Sequence, residues 1–194
     1  IFDSARKNFR NEIYSNYKGN RSDAPDDLIP QFEYIRKSVL AFNLPSIELL
    51  NYEADDLIAT YSEQILKLGG KVTIVSSDKD LMQLYKKNIR IYDPMKNKFV
   101  NEEDIKNKFG VGAEKVIDVQ SLAGDSSDNV PGVPGIGVKT AAELITNFGT
   151  LENLLKNASQ IKQNKRRETL IENKDKALIS KKLVTLKKDV PVKD

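Results

Sequence analysis

The chain has no cysteine and no histidine among its 194 residues. Without cysteine, disulfides and thiolate metal sites are excluded. Without histidine, the usual general base and the usual zinc ligand are missing. Any catalysis has to come from carboxylates, lysine, arginine, tyrosine or hydroxyls. No run of about 18 apolar residues exists, so no transmembrane helix is expected. No signal peptide is visible at the start, and a soluble cytoplasmic location is the expectation. At this length the chain can bury one core, or a core plus a smaller helical unit.

What is present is charge, unevenly placed. The formal net charge is only +3. From Lys156 to Lys188, however, eleven basic residues face three acids, Glu168, Glu172 and Asp175, and the rest of the chain is net acidic. A basic tail region joined to an acid-rich body fits a nucleic-acid enzyme, with one surface for the backbone and one pocket for metals. The plain alternative is a solvated helix face.

The acids fall in clusters. Gly124 to Ile145 reads GDSSDNVPGVPGIGVKTAAELI, with Asp125 and Asp128 just before a Gly/Pro loop that opens into a helix carrying Lys139. Such carboxylates can hold a hard divalent cation. A Gly-rich loop before a helix presents N–H groups to phosphate. Upstream, Glu53, Asp55 and Asp56 lie at a helix start, Glu53 and Asp56 sharing a helical face. Asp78 and Asp80 follow the apolar run Val72 to Val75, at the carboxyl end of a strand, where open α/β sheets place their sites. Asp3 ends another strand candidate. Helix capping explains one or two of these acids but not the set. Packed together without a metal they would repel or stay protonated. Two divalent ions could instead clamp a scissile phosphate and activate water.

Periodicity predicts a helix over Asp26 to Phe42, a short strand over Ser46 to Leu50, and a helix over Ala54 to Leu68 ended by Gly69-Gly70. Val72 to Val75 and Ile89 to Tyr92 read as buried strands, with a helix at Leu81 to Leu84 between them. Asn101 reads as an N-cap before an acidic first turn. Strand signals then stop, and helices run to the end. Strands alternating with helices argue for a parallel sheet with helices on its faces, followed by an all-helical last third, with a seam near Phe109 to Gly112. The segment GVPGIGVKT looks like a P-loop, but Val138 separates Gly137 from Lys139 and no buried strand precedes it.

The motifs FDSARKNFRNEIYSNYKGNR, YEADDLIAT, SSDKDLMQL and GDSSDNVPGVPGIGVKTAAELI, in this order, carry a resemblance along nearly the whole chain. It resembles the 5′-nuclease (5′–3′ exonuclease) domain of bacterial DNA polymerase I, in the flap endonuclease superfamily. The resemblance implies an α/β fold: a PIN-like nuclease domain over 1–110 with a mostly parallel sheet flanked by helices and a helical arch around 10–42. A helix–three-turn–helix DNA-binding domain of helix-hairpin-helix type would follow over 111–194, with its hairpin loop at 130–137. It implies a structure-specific 5′–3′ exonuclease and flap endonuclease of replication and repair, using two magnesium ions or manganese in their place. By motif position, Asp3, Glu53 and Asp55 would hold one metal. Asp78, Asp80, Asp125 and Asp128 would hold or bridge to the second, and Asp56 would act through water or from behind the ligands. Lys18 and Arg21 would contact the scissile phosphate. Gly132, Val133, Gly135, Ile136, Gly137, Lys139 and Thr140 would bind duplex backbone, with a potassium ion on the carbonyls of Val133 and Ile136. The implied partner is DNA with 5′ flaps or 5′ ends at branch junctions, with no membrane, met by a monomer near the nucleoid. Fusion to a polymerase domain is left open. The family pattern also has an earlier strand with another metal-ligand aspartate, so Ile1 to Asp3 looks like the end of a truncated strand. The alternatives are a structure-specific DNA-binding fragment with impaired catalysis, and a PIN-type ribonuclease, which lacks the hairpin module.

Overall fold

A computed structural model describes residues 1–192; the last two residues of the 111–194 segment, Lys193 and Asp194, lie outside the described residues. The best-defined start is helix α3 (Ala54–Lys67). Glu53 is its N-cap, and Asp56 accepts a hydrogen bond from the Glu53 N–H at 3.2 Å, closing a capping box. Leu57, Ala59 and Thr60 form its buried face. Gly69, at φ 78°, turns the chain out of the helix into strand β1 (Val72–Val75).

β1 pairs in parallel with β2 (Ile89–Asp93), Val72 opposite Ile89 and Val75 opposite Tyr92. A short β3 (Lys98–Phe99), absent from the sequence expectation, pairs antiparallel to β2. Its hairpin turn is built by Asp93, whose carboxylate accepts the N–H groups of Met95 and Lys96. Between β1 and β2 the expected helix is a 3₁₀ helix over Lys79–Leu84. The sheet order is β1-β2-β3.

The chain before α3 departs most from expectation. Ile1 to Asp3 and Ser46 to Leu50 form no strand; one hydrogen bond, Phe2 N–H to the Ile47 carbonyl at 2.9 Å, joins them. A strand needs a ladder, and neither segment hydrogen-bonds to β1. Helix α1 (Phe9–Ile13) is short and capped by Asn8. Helix α2 (Gln31–Ala41) begins after Pro30, later than the apolar spacing suggests, because Pro25 to Pro30 is spent on turns.

The remaining helices are α4 (Glu102–Phe109), α5 (Val116–Ala123), α6 (Val138–Phe148), α7 (Leu151–Lys156), α8 (Asn164–Glu172) and α9 (Lys174–Val184). Asn101 caps α4 and left-handed Gly110 ends it. One continuous core runs from Ile74, Leu84 and Ile91 through Ile105 and Phe109 to Val119, Leu122, Leu144 and Leu154. The seam near residue 110 is therefore a change in architecture, not a break in packing. No helix among the described residues is long and apolar enough to cross a membrane.

Candidate active site

Three separate chain segments bring acids to one pocket. Its lining includes Glu53 and Asp55 from the start of α3, Asp78 and Asp80 after β1, and Asp125 and Asp128 from the loop after α5. Each placement has a local cause. Asp78 caps the 3₁₀ helix, accepting the Asp80 N–H at 2.9 Å, so capping and pocket lining are one placement. Asp125 and Val130 exchange two backbone hydrogen bonds, at 3.0 and 2.8 Å, which tie off the loop holding Asp128. Glycines permit this closure. A Cβ on Gly124 would meet the Val130 carbonyl oxygen at 2.6 Å, and one on Gly132 would meet the Gly124 nitrogen at 2.5 Å.

Cations meet these acids. Lys18 Nζ lies 2.5 Å from Glu53 Oε1 and 3.6 Å from Asp128 Oδ2. Arg21 Nη2 lies 2.5 Å from Asp128 Oδ1. Lys79 Nζ lies 2.5 Å from Asp125 Oδ2. Glu53 also accepts from Asn8 Nδ2 at 3.0 Å and from the Tyr17 hydroxyl at 3.1 Å. Asp80 accepts from Gln120 Nε2 at 2.6 Å, leaving Gln120 Oε1 buried without a partner among the described residues.

The electrostatics divide the set. Burial, reinforced by Asp78 and Glu53, pushes the Asp55 carboxyl up to about 7. Burial and neighbouring Asp78 push Asp80 up to about 6, against the pull of its Gln120 hydrogen bond. Burial also opposes ionisation of Asp125, but the Lys79 ammonium and the Ser127 N–H outweigh it and hold Asp125 below the usual carboxylate range. Among the described residues, no three carboxylates converge closely enough to form a finished metal cage. Their chemistry still fits a hard divalent ion, because every donor is a carboxylate oxygen and the protonation cost of crowding falls on Asp55 and Asp80.

Two acids are placed elsewhere. Asp3 is exposed and accepts the Ala54 N–H at 2.7 Å, beside Glu53 and Asp55 but outside the pocket lining. Asp56 lies outside the pocket lining, behind Glu53, whose N–H it accepts and with which it shares Arg10. It is fully buried, paired with both terminal nitrogens of Arg10 at 2.7 and 2.8 Å, and accepts the Lys187 N–H at 2.8 Å. Sharing a helical face with Glu53 did not send it to the pocket, since the first turn of α3 points it at Arg10 and the chain after α9. Arg10, Asn8, Tyr17, Lys79 and Gln120 went unnoticed in the sequence as pocket-building residues. Lys79 alone had a local signal, lying between Asp78 and Asp80.

The hairpin segment is built as a support. Val133 and Ile136 are buried, and the Ile136 N–H donates to the Val133 carbonyl at 3.0 Å across Pro134 and left-handed Gly135. That is the chemistry of a tight Pro-Gly turn. Gly137 then caps α6 with no side-chain hydrogen bond, and Lys139 is exposed in the first turn with Thr140 half-buried. In the basic tail, Lys181 is spent on Asp118 and Glu152, both at 2.7 Å, while Lys156, Lys162, Lys165, Lys174, Lys176 and Lys182 are exposed.

Comparison with known proteins places these features. The family described as 5′-3′ exonuclease, N-terminal resolvase-like domain, matches residues 1–110. The one described as 5′-3′ exonuclease, C-terminal SAM fold, matches residues 111–194. The chain is 55% identical over 192 residues to DNA polymerase I of Rhizobium leguminosarum, covering 99% of this chain and 19% of that protein. It is 40% identical over 198 residues to the 5′-3′ exonuclease of Buchnera aphidicola, covering 99% of this chain and 69% of that one. T5 5′-exonuclease, in a structure with bound divalent metal ions (zinc), is similar at a TM-score of 0.83 and 26% identity, covering 95% of this chain and 72% of that one. The chain thus spans about a fifth of the length of the polymerase relatives.

Proposed function

The chain belongs to the 5′-3′ exonuclease family, and from that premise we propose that it is a structure-specific 5′–3′ exonuclease and flap endonuclease acting on DNA phosphodiester bonds. The observation that carries this reading is the convergence of six carboxylates on one pocket that Lys18 and Arg21 also line. Glu53 and Asp55, with Asp3 beside them, would hold one divalent ion; Asp78, Asp80, Asp125 and Asp128 would hold the other. Magnesium suits the all-oxygen donors, with manganese able to replace it. When bound, such ions polarise the phosphate and activate water for attack.

The chain's own groups do the rest. Asn8 and Tyr17 fix the Glu53 carboxylate from two sides. Lys18 and Arg21 already lie against Glu53 and Asp128 and would turn to the phosphate oxygens, offsetting charge that builds in the transition state. At the other end, the uncapped N-terminus of α6 leaves backbone N–H groups for a DNA phosphate, with Lys139 and Thr140 in reach. The carbonyls of Val133 and Ile136 are the candidates for a potassium ion there. None of these contacts reads bases, so recognition would be of a branch or flap and not of sequence. The match of residues 111–194 to the family's helical domain supports DNA over the PIN-type ribonuclease reading. One observation favours a second reading, DNA binding without cleavage: Asp3 is spent on the Ala54 N–H outside the pocket.

The test is a labelled 5′-flap DNA incubated with magnesium, beside a binding assay in calcium. Cleavage near the junction that EDTA abolishes is expected. Binding should weaken with salt, at a log–log slope of about −0.9 per phosphate neutralised. Binding without cleavage would select the second reading, and salt-insensitive or sequence-dependent binding would defeat both.

A further inference from the structure

Lys79 has no role in the scheme above, yet it holds one of the six carboxylates. It is the first residue of the 3₁₀ helix and lies between Asp78 and Asp80. Its ammonium is 2.5 Å from Asp125 Oδ2, and this is its one ion pair among the described residues. The other Asp125 oxygen is taken by the Ser127 N–H at 2.8 Å. A divalent ion approaching Asp125 therefore needs the oxygen that Lys79 occupies. Asp125 is held in place, its backbone bonded twice to Val130 and its carboxylate pinned by the Ser127 N–H. Lys79 can move: its side chain is 34% exposed against 5% for Asp125, and an ammonium on a four-carbon stem is a mobile point charge.

Resting on the proposed metal centre, we infer that Lys79 is a built-in counter-ion that competes with a divalent ion for Asp125 and is ejected when the ion binds. The physical reason is mutual repulsion. Asp80 and Asp128 also act on the ammonium, so the same charge quiets three carboxylates while no ion is bound. An arginine fork would bind the carboxylate more rigidly and yield less readily. Lysine thus makes the metal-free fold tolerable at the cost of weaker metal binding.

The test is calorimetric titration with manganese, in the absence of DNA, on the wild type, Lys79→Met, Lys79→Arg, Asp125→Asn and the Lys79→Met/Asp125→Asn double variant. Lys79→Met should bind manganese about 5–10-fold more tightly than the wild type, given the partial exposure of the pair. Lys79→Arg should not gain affinity. In the Asp125→Asn background the Lys79→Met gain should shrink below about 2-fold, as a double-mutant cycle requires of a direct pair. Melting in EDTA should come earlier for Lys79→Met, and saturating manganese should close the gap. Lys79→Gln repeats the comparison should the Met variant misfold. A wild type with no saturable manganese binding would overturn the metal centre itself. A wild type that binds, with Lys79→Met equal or weaker, would overturn only the counter-ion. So would an undiminished gain in the Asp125→Asn background, or an equal gain in Lys79→Arg.

Discussion

The first fifty residues and the rest of the chain are built on different principles. From residue 51 onward one large apolar core extends through sheet and helices, with a small second cluster at Val130, Leu183 and Val184. Before it, only Asn8, Arg10 and Tyr17 are buried. Each of the three is polar or carries a polar end, and each touches Glu53, Asp56 or Asp128. Helix α2 buries nothing, and Phe32, Tyr34 and Leu40 stand exposed. The leading segment is thus held by the acids and by one small apolar cluster, Tyr17 with Val130, Leu183 and Val184, and not by the main core. It carries Lys18 and Arg21, so the groups proposed to meet the phosphate sit on the part of the fold that charge keeps in place more than hydrophobic burial does.

The largest expected effect breaks the pocket and spares the core. Asp125→Asn and Asp128→Asn should each lower flap cleavage by about 100-fold or more, since loss of a ligand misplaces an ion and misplacement of about 1 Å costs that much. Binding of the same flap in calcium should persist, because the hairpin and the exposed tail lysines are untouched. Cleavage within a few-fold of wild type would make these acids caps and not ligands.

Next in size is the anchor between the two regions. Arg10→Met leaves Asp56 buried and unpaired, which should cost about 3–5 kcal/mol of stability in urea titration. Limited proteolysis should open the first fifty residues before the rest. A loss below about 1 kcal/mol would mean the segment has another hold. The smallest effect sharpens the contrast directly. Leu122→Ala, in the core, should cost about 2–5 kcal/mol, whereas Phe32→Ala on α2 should stay within about 0.5 kcal/mol. Equal losses would erase the distinction.

Much of this was legible residue by residue, where the cause was local. The α3 helix with its glycine stop, the β-branched run of β1 and the Asn101 cap all carry their signal within a few positions, although β1, expected to be buried throughout, buries only Ile74 and leaves Val75 exposed. Asp78 and Asp80 were readable as acids at a strand end. The failures are non-local. Nothing beside Arg10 announces Asp56, 46 residues away, and the Glu-Ala-Asp-Asp cluster looks uniform until Arg10 claims its last member. β3 is two residues long and owes its pairing to the Asp93 turn, not to its own propensity. The expected strand over Ser46 to Leu50 had the apolar alternation but no neighbour to bond with.

The Arg10 anchor also sets a clock. Its guanidinium donates to the carbonyls of Leu183 and Thr185 at the end of α9, 173 and 175 residues further along. A ribosome adds about 5–20 residues each second, so roughly 10–35 s pass between making Arg10 and making its acceptors. Until then Arg10 has only Glu53 and Asp56, and Asp56 still lacks the Lys187 N–H. A nascent chain therefore cannot complete the support behind Glu53 before α9 is made, and the proposed activity would come with α9 rather than with the acids themselves.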